Sequence, residues 1–327
     1  MEINGKKDTE LVFDLNEKFK KLKTEIGKII VGQDEIINNI LVSILSQGHS
    51  LLIGVPGLGK TLIIKTLADA LDLKFSRIQF TPDLMPSDIT GTEIFEAEKN
   101  KESKFRFIKG PVFANIILAD EINRTPPKTQ SALLEAMQEH RVTSGGITFQ
   151  LDEPFFVLAT QNPIEQEGTY PLPEAQLDRF MFNLWLDYPK EKEEEEIVRR
   201  TTSMYDMNIN KVFSKNEIIE FQELVRKVPV SQEVIEYIVG KVALTRPGNN
   251  MSPKIVKDYV NWGAGPRASQ YLTLAAKAGC VIDGRITPSE DDVIKYSLPV
   301  LRHRVITNFN AEADNIKSSD IIKELIK

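Results

Sequence analysis

A glycine-rich segment near residue 54 limits the possible folds of this chain more than any other part of the sequence. Gly54-Val55-Pro56-Gly57-Leu58-Gly59-Lys60-Thr61 fits the pattern G-x-x-x-x-G-K-[ST], follows the apolar run Leu51–Ile53 directly, and precedes a helical pattern. Glycines let successive backbone N–H groups turn toward phosphate oxygens, and the N-terminus of the following helix adds partial positive charge. The segment therefore predicts a phosphate-binding loop between a β-strand and an α-helix.

This loop predicts specific contacts with ATP and Mg²⁺. Lys60 is expected to reach the β and γ phosphates, and the Thr61 hydroxyl is expected to ligate Mg²⁺. The other predicted nucleotide-binding residues of the loop surround these two and are Gly54, Pro56, Gly57, Leu58, Gly59 and Leu62.

Two later apolar runs end in polar residues that could act on the nucleotide. Ile116–Ala119 is followed directly by Asp120 and Glu121, and ligands bind at the carboxyl ends of strands in open α/β sheets. Asp120 is expected to hold Mg²⁺, and Glu121 to polarise the water that attacks the γ-phosphate. Asn162, which follows the run Phe155–Ala159, is the candidate for orienting that water, although Asn-Pro is also a common turn pair.

The order of the apolar runs predicts an α/β core followed by a smaller all-helical domain. Strands of a parallel sheet are predicted at Leu51–Ile53, Phe75–Phe80, Ile116–Ala119, Phe155–Ala159 and Phe182–Leu186, with a helix over 34–47. After residue 190 the predicted elements are helices, over 191–204, 215–227, 231–246, 267–283 and 289–297. The charged run Lys190–Glu196 is interpreted as a solvated helix start, and Thr287-Pro288-Ser289-Glu290 as a capping box of the last helix.

Composition argues against several classes of protein. A formal charge of −6 and a pI near 5.4 give no general electrostatic reason to bind nucleic acid. The single cysteine, Cys280, cannot form an intrachain disulfide, and the three histidines lack metal-ligand spacing. Neither a signal peptide nor a membrane-spanning apolar run is recognisable, so the sequence predicts a cytoplasmic protein without membrane insertion.

Several longer segments resemble the MoxR family of AAA+ ATPases over about residues 25–306. Besides the phosphate loop, they are Val31–Gln33, Lys109–Asn115, Ala119–Arg124, Pro126–Glu139, Gln161–Phe180, Pro266–Ser269 and Val300–Arg304. The resemblance implies a P-loop NTPase of the AAA+ type, with a parallel-sheet core over 25–188 and an all-helical C-terminal lid over 189–308. It leaves an N-terminal extension over 1–24 and a C-terminal tail over 309–327.

The resemblance also implies roles for residues outside the phosphate loop. The backbone of Val31, Gly32 and Gln33 would bind adenine. Arg179 matches an arginine finger, donated to the γ-phosphate of a neighbouring subunit, and Arg267 matches the second sensor, on the lid. Whether Arg267 acts within its own subunit or across an interface is left open, and Arg124 is a further candidate for acting across the interface. In the alternative interpretations, Asp178-Arg179 is a structural ion pair and Arg267 a solvated helix start.

A ring, expected to be a hexamer, with ATP between subunits is the assembly that the resemblance implies. The ring would remodel or activate protein clients, among them proteins with a von Willebrand factor A domain. Two inserted features are expected: an insert over Pro82–Phe107 and a hairpin with its turn at Ser144-Gly145-Gly146, directed either toward the pore or to an inert surface. A switch that binds ATP without hydrolysing it is disfavoured by Glu121, Asn162 and Arg179, and a nucleic-acid motor by the acidic charge, whereas a chelatase-like motor subunit stays open.

Overall fold

The computed structural model of the protein describes residues 6–96, 104–164, 167–203 and 208–326. Residues 97–103 of the expected insert, Glu165 and Gln166 of the family-like segment, Met204 of the helix predicted over 191–204, and both ends of the chain lie outside the described residues. None of the described helices is both long enough and apolar enough to cross a membrane.

The β-strands are short. They are β1 (Ser50–Gly54), β2 (Phe75–Gln79), β3 (Gly91–Glu96), β4 (Lys104–Lys109), β5 (Ile116–Asp120), β6 (Arg141–Ser144), β7 (Ile147–Gln150), β8 (Phe156–Gln161), β9 (Phe182–Leu186), β10 (Val260–Trp262) and β11 (Ile306–Thr307).

Helices surround the strands and form most of the second half of the chain. They are α1 (Lys6–Ile29), α2 (Asp34–Leu45), α3 (Lys60–Ala70), α4 (Pro86–Thr90), α5 (Pro127–Glu139), α6 (Glu174–Leu177), α7 (Glu191–Thr201), α8 (Lys215–Lys227), α9 (Gln232–Leu244), α10 (Lys254–Tyr259), α11 (Pro266–Ile282), α12 (Glu290–Leu301), α13 (Phe309–Ala313) and α14 (Ser318–Leu325).

The central sheet contains five parallel strands in the order β2-β5-β8-β1-β9, and all five were predicted from the sequence. Every residue of β5 is buried, as expected for a parallel strand covered by helices on both faces. The strand β8 lies between β1 and β5, so that Leu52 pairs with Thr160 and Ala119 with Ala159. All five strands run the same way, and their carboxyl ends therefore meet at one edge of the sheet.

The helix predicted over 34–47 is confirmed, and so are the five helices predicted after residue 190, with small shifts at their ends. The capping box predicted at Thr287–Glu290 is wrong. The helix α12 begins two residues later than that box required, with Ser289 as its N-cap. The backbone N–H of Ser289 donates to Asp292 at 2.8 Å, and Arg285 holds the same carboxylate from its other side.

The two ends of the chain pack against the body of the protein. The helix α1 buries Leu15, Phe19, Leu22 and Ile26 in the main hydrophobic cluster and packs against α3, α8 and α11. At the other end, α14 packs on α12 and buries Ile321 and Ile322. Leu15, Phe19, Leu22 and Ile26 follow the three- and four-residue spacing of an amphipathic helix, a signal that the sequence does contain.

Two antiparallel hairpins project from the core and touch each other. The strands β3 and β4 pair within the expected insert, and β6 and β7 form the hairpin expected with its turn at Ser144-Gly145-Gly146. Gly145 and Gly146 both have positive φ, which a two-residue hairpin turn of this type requires. Phe107 of the first hairpin stacks on Phe149 of the second with ring centroids 4.3 Å apart, so that the two hairpins form one unit.

Candidate nucleotide site

The phosphate loop connects the last residue of β1 to the first residue of α3. Gly57 and Gly59 have φ angles of 86° and 73°, a region that favours glycine. Gly54 is needed for a different reason: a Cβ at this position would lie 2.9 Å from the Cβ of Leu186 on the neighbouring strand β9. The loop therefore has the backbone conformation and the close packing that its glycine spacing predicted.

Lys60 lies across this loop. Its Nζ donates a hydrogen bond to the carbonyl oxygen of Gly54 at 2.7 Å. Burial lowers the pKa of Lys60, while the carboxylates of Asp120 and Glu121 act in the opposite direction. The ammonium is thus already placed near both acids, and β and γ phosphates would add the negative charge that offsets its burial.

One threonine hydroxyl connects the two predicted acids. Thr160 is fully buried at the end of β8, where its hydroxyl donates to Asp120 Oδ1 at 2.6 Å and accepts from the Glu121 N–H at 2.9 Å. The other oxygen of Asp120 accepts from Arg77 Nη2, also at 2.6 Å. The carboxylate of Asp120 is therefore held in one orientation from both sides.

Glu121 has an unusual backbone conformation, and two side chains hold its carboxylate. It has a φ of 57°, in the left-handed region. Such a conformation strains the backbone of a residue other than glycine and gives its side chain a specific direction. Its Oε2 accepts from Gln79 Nε2 at 3.0 Å and lies 3.2 Å from Arg124 Nη1. Gln79 Oε1 in turn accepts from Arg77 Nη2 at 2.6 Å, which fixes the orientation of the Gln79 amide.

Sequence reasoning missed Thr160, Gln79 and Arg77. Gln79 pairs with Asp120 in the register between β2 and β5, and Thr160 stands two residues before the predicted Asn162. The available signal for Gln79 and Thr160 was therefore their position at the carboxyl ends of predicted strands, whereas Arg77, in the middle of β2, had none.

Asn162 follows β8 and forms the local turn that the Asn-Pro pair suggested as the alternative to a role in catalysis. Its Oδ1 accepts from the backbone N–H of Ile164 at 3.1 Å, the local turn typical of an Asn-Pro pair. Asn162 is only 5% exposed, yet its Nδ2 has no hydrogen-bond partner among the described residues. A buried amide with an unused donor beside two acids is suited to binding a water or a phosphate oxygen.

Val31, Gly32 and Gln33 lie at the same end of the sheet as the phosphate loop. Gln33 Nε2 donates to the carbonyl oxygen of Asp187, which follows β9 directly. Gly32 has a φ of 70°, and a Cβ there would lie 2.8 Å from the carboxyl carbon of Glu193. Glu193 belongs to the charged run interpreted as a solvated helix start; most of that run is exposed, but this residue packs against the predicted adenine segment.

The residues predicted to bind Mg²⁺ have suitable chemistry. Thr61, the second residue of α3, supplies a hydroxyl oxygen, and Asp120 supplies a carboxylate that Thr160 already orients. Hydroxyl and carboxylate oxygens are the ligands that Mg²⁺ prefers, commonly together with waters and substrate phosphates. The residues therefore fit the metal.

The structure places Arg179 and Arg267 together, but away from their own phosphate loop. Arg179 stands three residues before β9, which begins opposite Ser50, whereas the phosphate loop begins at the other end of β1, at Gly54. Four strand residues correspond to about 13 Å of separation along the sheet. Arg179 donates to the carbonyl oxygen of Leu134, and Arg267 binds Asp178 at 2.9 Å.

Asp178 forms ion pairs with two arginines of the lid. Asp178 pairs with Arg267 and with Arg304, whose Nε lies 2.7 Å from its Oδ1. Arg267 is therefore more than a solvated helix start.

A phosphate loop, two acids and a buried amide at one edge of a five-stranded parallel sheet, with a helical lid, define a P-loop ATPase of the AAA+ type. A family model described as "ATPase family associated with various cellular activities (AAA)" matches residues 49–182, and a model of the AAA lid domain matches 252–325. The protein named Chaperone MoxR1 from Mycobacterium tuberculosis is 44% identical over 93% of this chain and 79% of its own length. The chain belongs to the MoxR family of AAA+ ATPases.

Two further comparisons extend the similarity over nearly the whole chain. The Bacillus subtilis protein YeaC is 42% identical over 96% of this chain and 94% of its own length. The crystal structure of a candidate ATPase from Cytophaga hutchinsonii has a TM-score of 0.91 and 45% identity, and covers 97% of this chain and 96% of its own. The resemblance thus extends beyond the limits of 25–306 that the sequence motifs suggested.

Proposed function

We propose that the protein hydrolyses ATP in a ring of subunits, with each nucleotide bound between two neighbours. The observation that carries this proposal is the separation of its site residues between opposite ends of the sheet. A subunit holds its own nucleotide at the carboxyl ends of its strands, where Lys60, Asp120, Glu121 and Asn162 lie. Arg179 and Arg267 lie near the other end, which supports their acting on the nucleotide of a neighbour.

Each residue has a separate task in the proposed reaction. Lys60 and the loop backbone bind the phosphates, and Thr61 and Asp120 hold Mg²⁺, which neutralises charge on the phosphate oxygens. Glu121 accepts a proton from the attacking water, and the free amide of Asn162 orients that water. Arg179 from the neighbour stabilises the charge that spreads over the γ-phosphate oxygens in the transition state, and Arg267 contacts the same phosphate.

We further propose that the ring, a hexamer, uses this cycle to remodel or activate partner proteins. The name of the Mycobacterium tuberculosis relative, a chaperone, supports a protein client. The family resemblance favours clients with a von Willebrand factor A domain. The two stacked hairpins are a rigid projection that could contact such a client, because Phe107 and Phe149 fix them to each other.

Mixed rings test the division of the site between subunits. Arg179→Ala subunits should bind ATP normally but hydrolyse it about 10³-fold more slowly, because an arginine finger acts only on the transition state. Lys60→Ala subunits should fail to bind ATP, yet they keep an intact Arg179. Mixing the two inactive variants should therefore restore part of the ATPase rate.

Arg267→Ala subunits provide the matched control for the same mixture. If Arg267 acts across the interface, Lys60→Ala subunits should rescue them as well; if it acts within its own subunit, the mixture should stay as slow as Arg267→Ala alone. No rescue of Arg179→Ala would mean that the finger is not supplied by a neighbour, and the proposal would fail.

A further inference from the structure

The segment Val300–Arg304 belongs to the family resemblance but has no part in the reaction proposed above. It ends α12 in the lid, and its last residue, Arg304, is 5% exposed. A buried guanidinium is costly unless its donors are satisfied. The partners of Arg304 therefore indicate what this arginine stabilises.

Arg304 binds the loop that carries Arg179. Its Nη2 donates to the carbonyl oxygens of Asp178 and Phe180 at 2.8 and 2.7 Å. Its Nη1 donates to the carbonyl oxygen of Met181 at 3.3 Å and to that of Val300 in its own helix. Its Nε binds the Asp178 carboxylate at 2.7 Å.

Two other lid residues complete the support of this loop. The Tyr271 hydroxyl donates to the carbonyl oxygen of Arg179 at 3.1 Å, and a ring nitrogen of His303 lies 3.0 Å from the carbonyl oxygen of Phe180. The four successive carbonyl groups from 178 to 181 are thus all bonded by the lid. The guanidinium of Arg304 also lies over the Tyr271 ring, 5.2 Å from its centroid, so the two supports brace each other.

Surface loops usually leave carbonyl groups to solvent and keep some freedom of movement. Here the carbonyl groups of the loop are bonded to α11 and to the end of α12, whereas the Arg179 side chain donates to the carbonyl oxygen of Leu134 in the core helix α5. The loop is also tied to the core, because the Met181 N–H donates to the carbonyl oxygen of His49 and Phe180 is buried in the core. The bonds from the lid therefore hold the Arg179 backbone in one place against the core.

We propose that Arg304, braced by Tyr271, is a positioning residue for Arg179, and that the lid of a subunit thereby holds the finger loop, residues 178–181, in place. The lid of one subunit then fixes the place of the arginine offered to the next subunit's nucleotide. This inference rests on the proposed function, because it assumes that Arg179 acts across the interface.

Two substitutions, Arg304→Lys and Tyr271→Phe, test the inference; the first should have a large effect on kcat and the second a small one. Lysine keeps the charge but cannot bond three carbonyl groups, and displacement of a reacting group by about 1 Å can cost about 100-fold in rate. We expect kcat to fall between about 10- and 100-fold in Arg304→Lys and about 3-fold in Tyr271→Phe, with the ATP affinity unchanged in both. Phenylalanine keeps the ring contact, so this variant remains informative if Arg304→Lys folds poorly.

Two further measurements separate positioning from general damage to the lid. In an Arg179→Ala background, either substitution should lower kcat no further, because the group that it positions is gone. Lys60→Ala subunits, with an intact finger loop, should partly rescue the support variants in mixed rings. The control Arg285→Lys weakens a lid ion pair that does not touch the loop, and it should leave kcat within about twofold of wild type.

The outcomes distinguish this inference from the proposed function. The positioning role would be overturned if Arg304→Lys or Tyr271→Phe lowered kcat as much in the Arg179→Ala background as in wild type. An equal loss of kcat in Arg285→Lys would overturn it as well. If Arg179→Ala itself is not rescued by Lys60→Ala subunits, the arrangement across the interface has failed, and the support variants then report only on the lid.

Discussion

The two ends of the central sheet are built in opposite ways. At the carboxyl end, polar side chains keep capacity for a ligand: within the described part of the chain, the buried Nδ2 of Asn162 has no hydrogen-bond partner, and the Lys60 ammonium bonds one loop carbonyl. At the amino end, Asp178 and Arg304 are bonded to each other and to the backbone around Arg179. One end is prepared to receive a nucleotide, and the other is a fixed support for residues that reach outward.

This difference indicates that a bound nucleotide changes side-chain contacts at the carboxyl end of the sheet and not at the amino end. A nucleotide can replace the hydrogen bond of Lys60 to Gly54 and the contacts of Glu121 with Gln79 and Arg124. Each of these is one isolated hydrogen bond or ion pair at a partly exposed site. The nucleotide cannot easily rearrange a guanidinium that bonds four carbonyl oxygens. Substitutions at the two ends should consequently fail in different ways.

The largest expected effects separate binding from chemistry at the carboxyl end. Lys60→Ala should abolish ATP binding, because the ammonium contacts phosphates in the ground state. Glu121→Gln should bind ATP like wild type and lower kcat about 10²- to 10⁴-fold, because the carboxylate acts only on the water. Binding is measured by titration calorimetry, and turnover by phosphate release. Equal loss of binding in both variants would contradict the assignment of Glu121.

A smaller effect is expected from Thr160, which orients both acids without touching the substrate. Thr160→Val keeps the shape but leaves an Asp120 oxygen and the Glu121 N–H without their partner. Loss of such a buried bond should lower kcat about tenfold and weaken ATP binding only when Mg²⁺ is present. Binding without Mg²⁺ should be unchanged, since Lys60 and the loop are untouched.

Thr160→Ser is the matched control, because it restores the hydroxyl at the same position. Serine should recover most of the lost rate. If serine and valine were equally slow, the methyl packing of Thr160 and not its hydrogen bonds would be the important feature, and the orientation of Asp120 would need another explanation.

The sequence predicted the carboxyl end well because its signals are local. The phosphate loop and the pair Asp120-Glu121 each follow their own strand within a few residues, so chain order alone places them at one edge. Thr160 and Gln79 were missed because their contacts depend on the register between strands that are distant in sequence. The short strands β10 and β11 were missed for a simpler reason: two or three residues cannot show a period.

The amino end could be predicted only in part. The motif around Arg179 and the one around Arg267 were recognised by resemblance, but nothing in the sequence states that Asp178 joins them or that Arg304 fills the space between. Those contacts span 89 and 126 residues of the chain, respectively. For this reason the sequence left open whether Arg267 acts on its own nucleotide or on that of a neighbour.

The smallest expected effect concerns a pair of charges beneath the amino end. His140, which follows α5, has its Nδ1 2.5 Å from Glu153 Oε1. This hydrogen bond raises the pKa of His140 above its ordinary value of 6.5, although burial acts in the other direction. Burial alone would raise the pKa of Glu153, but His140 and the Phe155 N–H hold it below 4.5. The neighbouring His49 is fully buried, which lowers its pKa to about 4 and keeps it neutral above that pH.

The signs of these shifts predict how stability depends on pH. The contribution of His140 is complete below pH 6.5 and is lost as the pH rises through its raised pKa, while that of Glu153 is complete above pH 4.5 and is lost as the pH falls through its lowered pKa. Wild type should therefore exceed His140→Gln in unfolding free energy by up to about 1 kcal/mol at about pH 5.5, and by less at about pH 8.5. Urea unfolding at both pH values measures the difference, and Glu153→Gln should remove its pH dependence. The ATP affinity of His140→Gln should equal that of wild type at both pH values, because the phosphate loop lies at the opposite end of β1. A change in affinity that parallels the change in stability would show that the two ends are not independent.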